Sequence, residues 1–278
     1  MRVACLLTLC SAVSCAQDAR EILVRSLARH NENSKLSRDF TFVERTEIRN
    51  LNDQSGKGGR SRTYEVRLFA GSPYRRLIAR DDKPLSPDED REEQRKLLEC
   101  IEQRRKETAE ERARRIAEWE KKRREFREPL AEIPKAFHLK IVGEETVNGI
   151  DTWVIEALPR AGYKPGPGYS RFFPKIKGRF WISKTDYGCV RAGAEVLETI
   201  SYGLILARVQ KGSRMQFEQA RIQGGVWVPT RVEATAALQV ALLKHMHTGY
   251  EITYKDYRRF EVESSHLMGL HELAEPAR

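Results

Sequence analysis

The chain has 278 residues, with 50 Lys and Arg against 40 Asp and Glu, and carries a formal charge of +10. That length suits one large or two small domains. After the first sixteen residues no apolar stretch reaches the roughly 20 residues of a membrane helix, and Cys100 and Cys189 alone are too few for a disulfide framework.

Residues 1–16 read as an export signal: Met1-Arg2 starts it, Val3 to Val13 is a short apolar run, and small residues precede the polar Gln17-Asp18. Two endings are open. Cleavage after Ala16 would use Ser14 and Ala16 as the small pair. Alternatively Ala12-Val13-Ser14-Cys15 is an imperfect lipobox, and Cys15 becomes a lipid-carrying N-terminus. Either ending places the protein outside the cytoplasm, in the periplasm or at the outer membrane as a lipoprotein. Export also changes how the charge is read. A basic cytosolic chain would suggest nucleic acid; outside the cytoplasm the expected partners are lipid head groups and envelope surfaces, and no nucleic acid.

Asp18 to Ser37 has the spacing of an amphipathic helix through Ile22, Leu23, Leu27 and Leu36. From Phe40 the period becomes two, and a second alternating run at Tyr64, Val66 and Leu68 predicts a hairpin around the polar turn 51–59. A third strand is expected near Tyr74 to Arg80. Ser86-Pro87-Asp88-Glu89 then carries a capping serine, a proline at the first helical position and a capping-box glutamate. A charged helical insertion follows over 87–128. Between Asp88 and Glu128 it holds 14 acidic and 14 basic side chains, so the basic excess lies elsewhere. A second capping box at Thr108 to Glu111 predicts a break near Glu107. The insertion reads either as a solvated spacer or as a lid-like or partner-binding arm.

Strand patterns resume after Pro134. Asn148-Gly149 is a strong two-residue hairpin signal. Alternating rows continue through Trp153, Phe180, Val190 to Val196, Met215 and Phe217, Val232 to Leu242 and Tyr250 to Tyr254. About ten strands joined by short turns predict a mainly β fold with some α structure: an antiparallel meander curled into a half-open barrel. A single domain is expected over 18–262, with a flexible tail at 263–278. The inward residues make either a packed core or a lipid-sized cavity. The expected lining is Phe40, Phe42, Val66, Leu68, Leu139, Ile141, Trp153, Ile155, Phe180, Ile182, Val196, Met215, Phe217 and Leu238. Head-group or rim contacts fall to Arg75, Arg76, Lys175 and Lys177, whose bland alternative is solvated strand edges. Tyr202 to Ala207 is either a buried strand or an apolar tip.

No nucleophile elbow, phosphate-binding glycine loop or paired-cysteine metal signature occurs. His245 and His247 lack a third ligand nearby, and Glu44 and Glu47 fall on opposite strand faces. No enzyme activity, cofactor or metal is expected.

The order of elements resembles the LolA/LolB-like family. The resemblance rests on the signal with its candidate lipobox, the first helix, the strand Phe40-Thr41-Phe42-Val43-Glu44-Arg45, and the late segments Val226-Trp227-Val228-Pro229-Thr230-Arg231-Val232 and Tyr254-Lys255-Asp256-Tyr257-Arg258-Arg259-Phe260. It implies a half-open barrel closed by helices, which holds acyl chains of lipoproteins or lipids in the periplasm. A peripheral or lipid-anchored membrane association and outer-membrane or envelope protein partners would fit that role. The alternative function is a non-catalytic structural or signalling scaffold that uses the charged helices as its interaction arm.

Overall fold

The computed structural model describes residues 18–53, 59–166, 168–202, 207–240 and 244–259. The export signal with Cys15, residues 203–206 of the apolar stretch, and the tail with His266 and His271 lie outside the described residues.

Helix α1 (Ala19–Leu36) starts on Asp18, whose side chain accepts from the Arg20 amide. Strands β1 (Phe40–Asn50), β2 (Gly59–Phe69) and β3 (Ser72–Arg80) follow as antiparallel neighbours, and the two-residue β4 (Lys83–Pro84) ends that run. The charged insertion is two helices, α2 (Pro87–Lys106) and α3 (Ala109–Arg127). Both begin with complete capping boxes, Ser86 with Glu89 and Thr108 with Glu111, so the break at Glu107 is the one the second box predicts. A 3-10 turn (Glu128–Glu132) and the short α4 (Ile133–Ala136) lead into β5 (Phe137–Val147). Asn148 and Gly149, both at positive φ, turn the chain into β6 (Ile150–Pro159).

After a 3-10 segment (Gly168–Lys175) come β7 (Ile176–Ser183), β8 (Cys189–Val196), β9 (Ile200–Tyr202), β10 (Ala207–Val209), β11 (Arg214–Arg221), β12 (Trp227–Val240) and β13 (Lys244–Arg259). Neighbours run antiparallel in the order β4-β3-β2-β1-β13-β12-β11-β8-β7-β6-β5, with β9 and β10 branching from β12. The sheet does not close, and the architecture is the expected open half-barrel with helices. Its centre differs from a simple meander. The chain builds one side outward from β1 to β4, crosses through α2 and α3 to the opposite edge at β5, and meanders back until β13 pairs with β1. The insertion is therefore a crossover between the two sheet edges, and no residue of α2 or α3 is buried.

Ion pairs hold that crossover at both ends. Arg76 and Arg80 of β3 pair with Asp90 and Glu89 of α2. Arg104 donates to the carbonyls of Phe69, Ser72 and Pro73 at 2.7, 3.0 and 3.2 Å, and Arg115 of α3 donates to the Ala70 carbonyl at 3.0 Å and to the Ser72 hydroxyl, so both helices hold the β2–β3 turn. Ile116 of α3 sits on Gly71, whose φ of +86° and missing side chain both suit the contact: a Cβ there would lie 2.6 Å from Ile116 Cδ1. At its other end α3 meets α1. Arg123 donates to the Ser34 carbonyl at 2.9 Å, and Arg38 pairs with Glu120 while lying over the Trp119 ring.

The largest packed clusters gather under α1. Leu23 of α1 meets Ile133, Ala136, Phe137, Ala157 and Phe173, while Ala19 and Ile22 meet Ile155 and Ile182. A smaller cluster joins Val147, Val190 and Trp227. Cys100 and Cys189 are both free thiols. No helix among the described residues is long and apolar enough to cross a membrane.

Candidate functional site

Register alone separates the two sheet faces. On the inner face Val66 stands opposite Phe42, Glu44 opposite Tyr254, and Thr46 opposite Ile252. The row continues through Val232 and Ala234 of β12, Phe217 and Met215 of β11, and Ala192 and Ala194 of β8. It ends in Phe180, Ile155 and Ile141 of β7, β6 and β5. The outer face is the negative image. Arg179 pairs with Glu156, Lys177 and Arg214 share Glu195, Arg191 pairs with Glu218, and Arg231 bridges Glu233 and Glu251. Opposite charges directly across strands add stability and keep that face in water.

The helices cover the inner face unevenly. Under α1, Ile155 and Ile182 are fully buried. Beyond the packed clusters, Phe42, Phe217, Val232 and Ile252 stay half-buried, and Met215 is 52% exposed. Of the other expected lining residues, Val66 is buried, while Phe40, Leu68, Leu139, Ile141, Trp153, Phe180, Val196 and Leu238 are half-buried. Leu139, Ile141, Trp153 and Phe180 pack against the α1 clusters. The uncovered residues are those of β1, β11, β12 and β13.

A polar group sits inside this apolar row, which the sequence reasoning missed. Glu44, with a side chain only 14% exposed, pairs with Arg75 of β3. The Arg75 guanidinium lies 4.2 Å over the Tyr64 ring, and Thr46 donates to Glu44 at 3.4 Å. Phe42 meets Tyr254 and Tyr257 at ring centroids of 5.8 and 5.3 Å. The Tyr257 hydroxyl donates to the Pro229 carbonyl at 2.7 Å. Burial first, then the nearby Glu44 charge, holds the Tyr254 phenol well above its ordinary range; burial and then Tyr254 do the same for Tyr257. Alternation carried the missing signal, since Glu44 shares parity with Phe42 and Thr46.

The four expected rim cations do not converge. Arg75 faces inward beside Glu44. Arg76 points to the other face and pairs with Asp90. Lys177 belongs to the outer lattice with Glu195, and Lys175 donates to the Thr199 carbonyl at 3.4 Å. A depression of about 400 Å³ over Gly193 is walled by Glu156, Lys177, Arg179, Glu195, Arg214 and Glu233. The charged walls are already paired across the strands, and Trp181 adds an aromatic surface between them.

Glu44 and Glu47 do face opposite ways, and Glu47 pairs with Arg45. Cys189 is half-buried against the α1 cluster, and desolvation there pushes its thiol up to about 12 and keeps it from acting as a thiolate. Among the described residues no cluster of three metal-ligating side chains occurs.

No protein-family model matches the chain, and no curated protein matches it by sequence. Solved structures similar to it include a DUF1329 family protein from Desulfovibrio piger, with 13% identity over 89% of this chain and 99% of that one and a TM-score of 0.32. A domain from Vibrio parahaemolyticus named for outer membrane lipoprotein sorting has 11% identity over 85% and 93%, with a TM-score of 0.35. A LolA superfamily protein from Nitrosomonas europaea has 11% identity over 90% and 97%, with a TM-score of 0.31. At scores of this size the function has to be read from the chain's own inner face.

Proposed function

We propose that this protein is an exported, non-catalytic carrier that holds acyl chains of lipids or lipoproteins against the inner face of its half-barrel, in the periplasm or tethered at the outer membrane. What supports this is one asymmetry: the inner rows of β1, β11, β12 and β13 are largely apolar, interrupted by Glu44 and Thr46, yet half-buried or exposed, while the outer rows of the same strands are ion-paired. Apolar side chains left open on the helix-bearing side of a curled sheet are paid back when something apolar covers them. An acyl chain contributes about 0.8 kcal/mol per buried methylene and needs no polar partner. Arg75, half exposed beside Glu44, is the cation we assign to the head group.

Titration with a fluorescent fatty acid, displaced by phospholipid, tests the reading. Saturable binding that Phe217→Glu weakens more than about tenfold, by placing a carboxylate in the apolar row, is the expected result. An unchanged affinity in a folded Phe217→Glu protein would remove the inner face as the site.

A further inference from the structure

The end of α3 carries a feature that cargo binding does not use. Phe126 is 65% exposed, the highest value among the large apolar side chains of the described residues. It stacks on Tyr169, itself 39% exposed, with ring centroids 5.2 Å apart and planes at 19°. The two rings come from different elements, α3 and the 3-10 segment Gly168–Lys175, so their pairing is made by the fold.

Charge gathers around that pair. Although the whole insertion is neutral, its charge is segregated: residues 121–127 hold five cations and one acid, whereas residues 88–93 hold five acids and one cation. Segment 168–175 adds Arg171 and Lys175 and no acid. The pairing differs as well. In α2, Arg91, Arg95, Lys96 and Arg105 are each held by a Glu or Asp three or four residues away. Lys121, Lys122 and Arg124 are exposed and have no ion-pair partner among the described residues. Lys122 lies one turn before Phe126 on the same side of the helix, and Arg171 follows Tyr169 by two positions. Lys121 and Arg124 lie farther round the helix, where they add field rather than contact.

We propose that Phe126 and Tyr169, with Lys122 and Arg171 beside them, form an anchor for an anionic lipid surface. Aromatic rings take the boundary between head groups and acyl chains, and cations beside them meet lipid phosphates. Lys121, Lys122 and Arg124, exposed and without an ion-pair partner among the described residues, stand beside an exposed aromatic pair; that combination favours a negatively charged partner with an apolar interior, and an anionic bilayer supplies both. The anchor would bring the half-barrel to the membrane, and it does not require the inner face to hold lipid.

Vesicle sedimentation tests it, using the full chain carrying Cys15→Ala so that no acyl group contributes. Against phosphatidylcholine vesicles containing a third phosphatidylglycerol, the protein should pellet, and added salt should reduce binding. Phe126→Ser or the pair Lys122→Glu and Arg171→Glu should weaken binding more than about tenfold, since each cation near such a surface accounts for roughly a fivefold change. Arg91→Glu, a charge reversal on exposed α2, should leave it unchanged. Equal binding to pure phosphatidylcholine, no binding to either vesicle, or wild-type binding by the α3 variants would each overturn the anchor; binding to neither would turn attention to a protein partner. Phe217→Glu keeps the two proposals apart, because it should weaken fatty-acid binding and leave sedimentation intact.

Discussion

The Asn33 side chain clasps the backbone of Trp227 from both directions: its Nδ2 donates to the Trp227 carbonyl at 2.6 Å, and its Oδ1 accepts from the Trp227 amide at 2.7 Å. The pair is 194 residues apart in sequence and buried. It fixes the C-terminal half of α1 to the start of β12, where Trp227 Nε1 also donates to Asp186 at 3.0 Å. Asn33→Ala leaves a buried donor and a buried acceptor unmade. The expected cost is about 2–4 kcal/mol, read from the midpoint of urea unfolding. A loss below about 0.5 kcal/mol would mean that water replaces the clasp.

Arg104 holds the helical crossover to the β2–β3 turn through three carbonyl bonds. Arg104→Ala should release that end of the hairpin while the sheet persists. Limited proteolysis would then cut within α2 and α3 several-fold faster than in the wild type, with little change in the unfolding midpoint of the sheet. Equal cleavage rates would show that Ile116 on Gly71 and the Arg115 contacts suffice.

His30 faces α3 from α1, and its pKa is lowered from 6.5 by burial first and then by Arg127 and Arg123. The unfolded chain therefore takes up a proton at higher pH than the folded one. Stability is full above the unfolded value and falls as pH drops through and below about 6.5. His30→Gln should flatten that part of the profile between pH 7.5 and 5. A variant with the same slope as the wild type would assign the acid sensitivity to other groups.

Tyr254 and Tyr257 titrate in the opposite sense of pH. Their folded pKa values are raised above the ordinary 10.0, so the unfolded chain loses these protons first and stability declines as pH rises past 10. Absorbance of tyrosinate near pH 10 should be almost unchanged in the folded Tyr254→Phe and Tyr257→Phe proteins. A clear loss of amplitude in either would mean that its hydroxyl reaches water.

Local chemistry made much of this architecture legible. Ser86 with Glu89 and Thr108 with Glu111 place both helix starts, Asn148-Gly149 places a hairpin, and alternation assigns Phe42, Phe217 and Ile155 to one face. Pairing partners are a different matter. Alternation says which face a side chain takes but not which strand lies beside it, so β1 beside β13 and the side branch β9–β10 were not readable. The same limit hid the ion pair of Glu44 with Arg75: both residues were visible, but their meeting depends on β1, β2 and β3 in register. Net neutrality of residues 88–128 likewise hid a charge gradient that counting by segment exposes, while which of its cations lack a partner depends on the fold.

Native mass spectrometry of the protein purified without detergent from a Gram-negative host tests the carrier reading most directly. The reading predicts a bound mass equal to a phospholipid or an acylated peptide, lost in Phe217→Glu and regained by wild type on incubation with lipid. A clean apo mass that persists after that incubation would contradict it, and would leave the inner face without cargo.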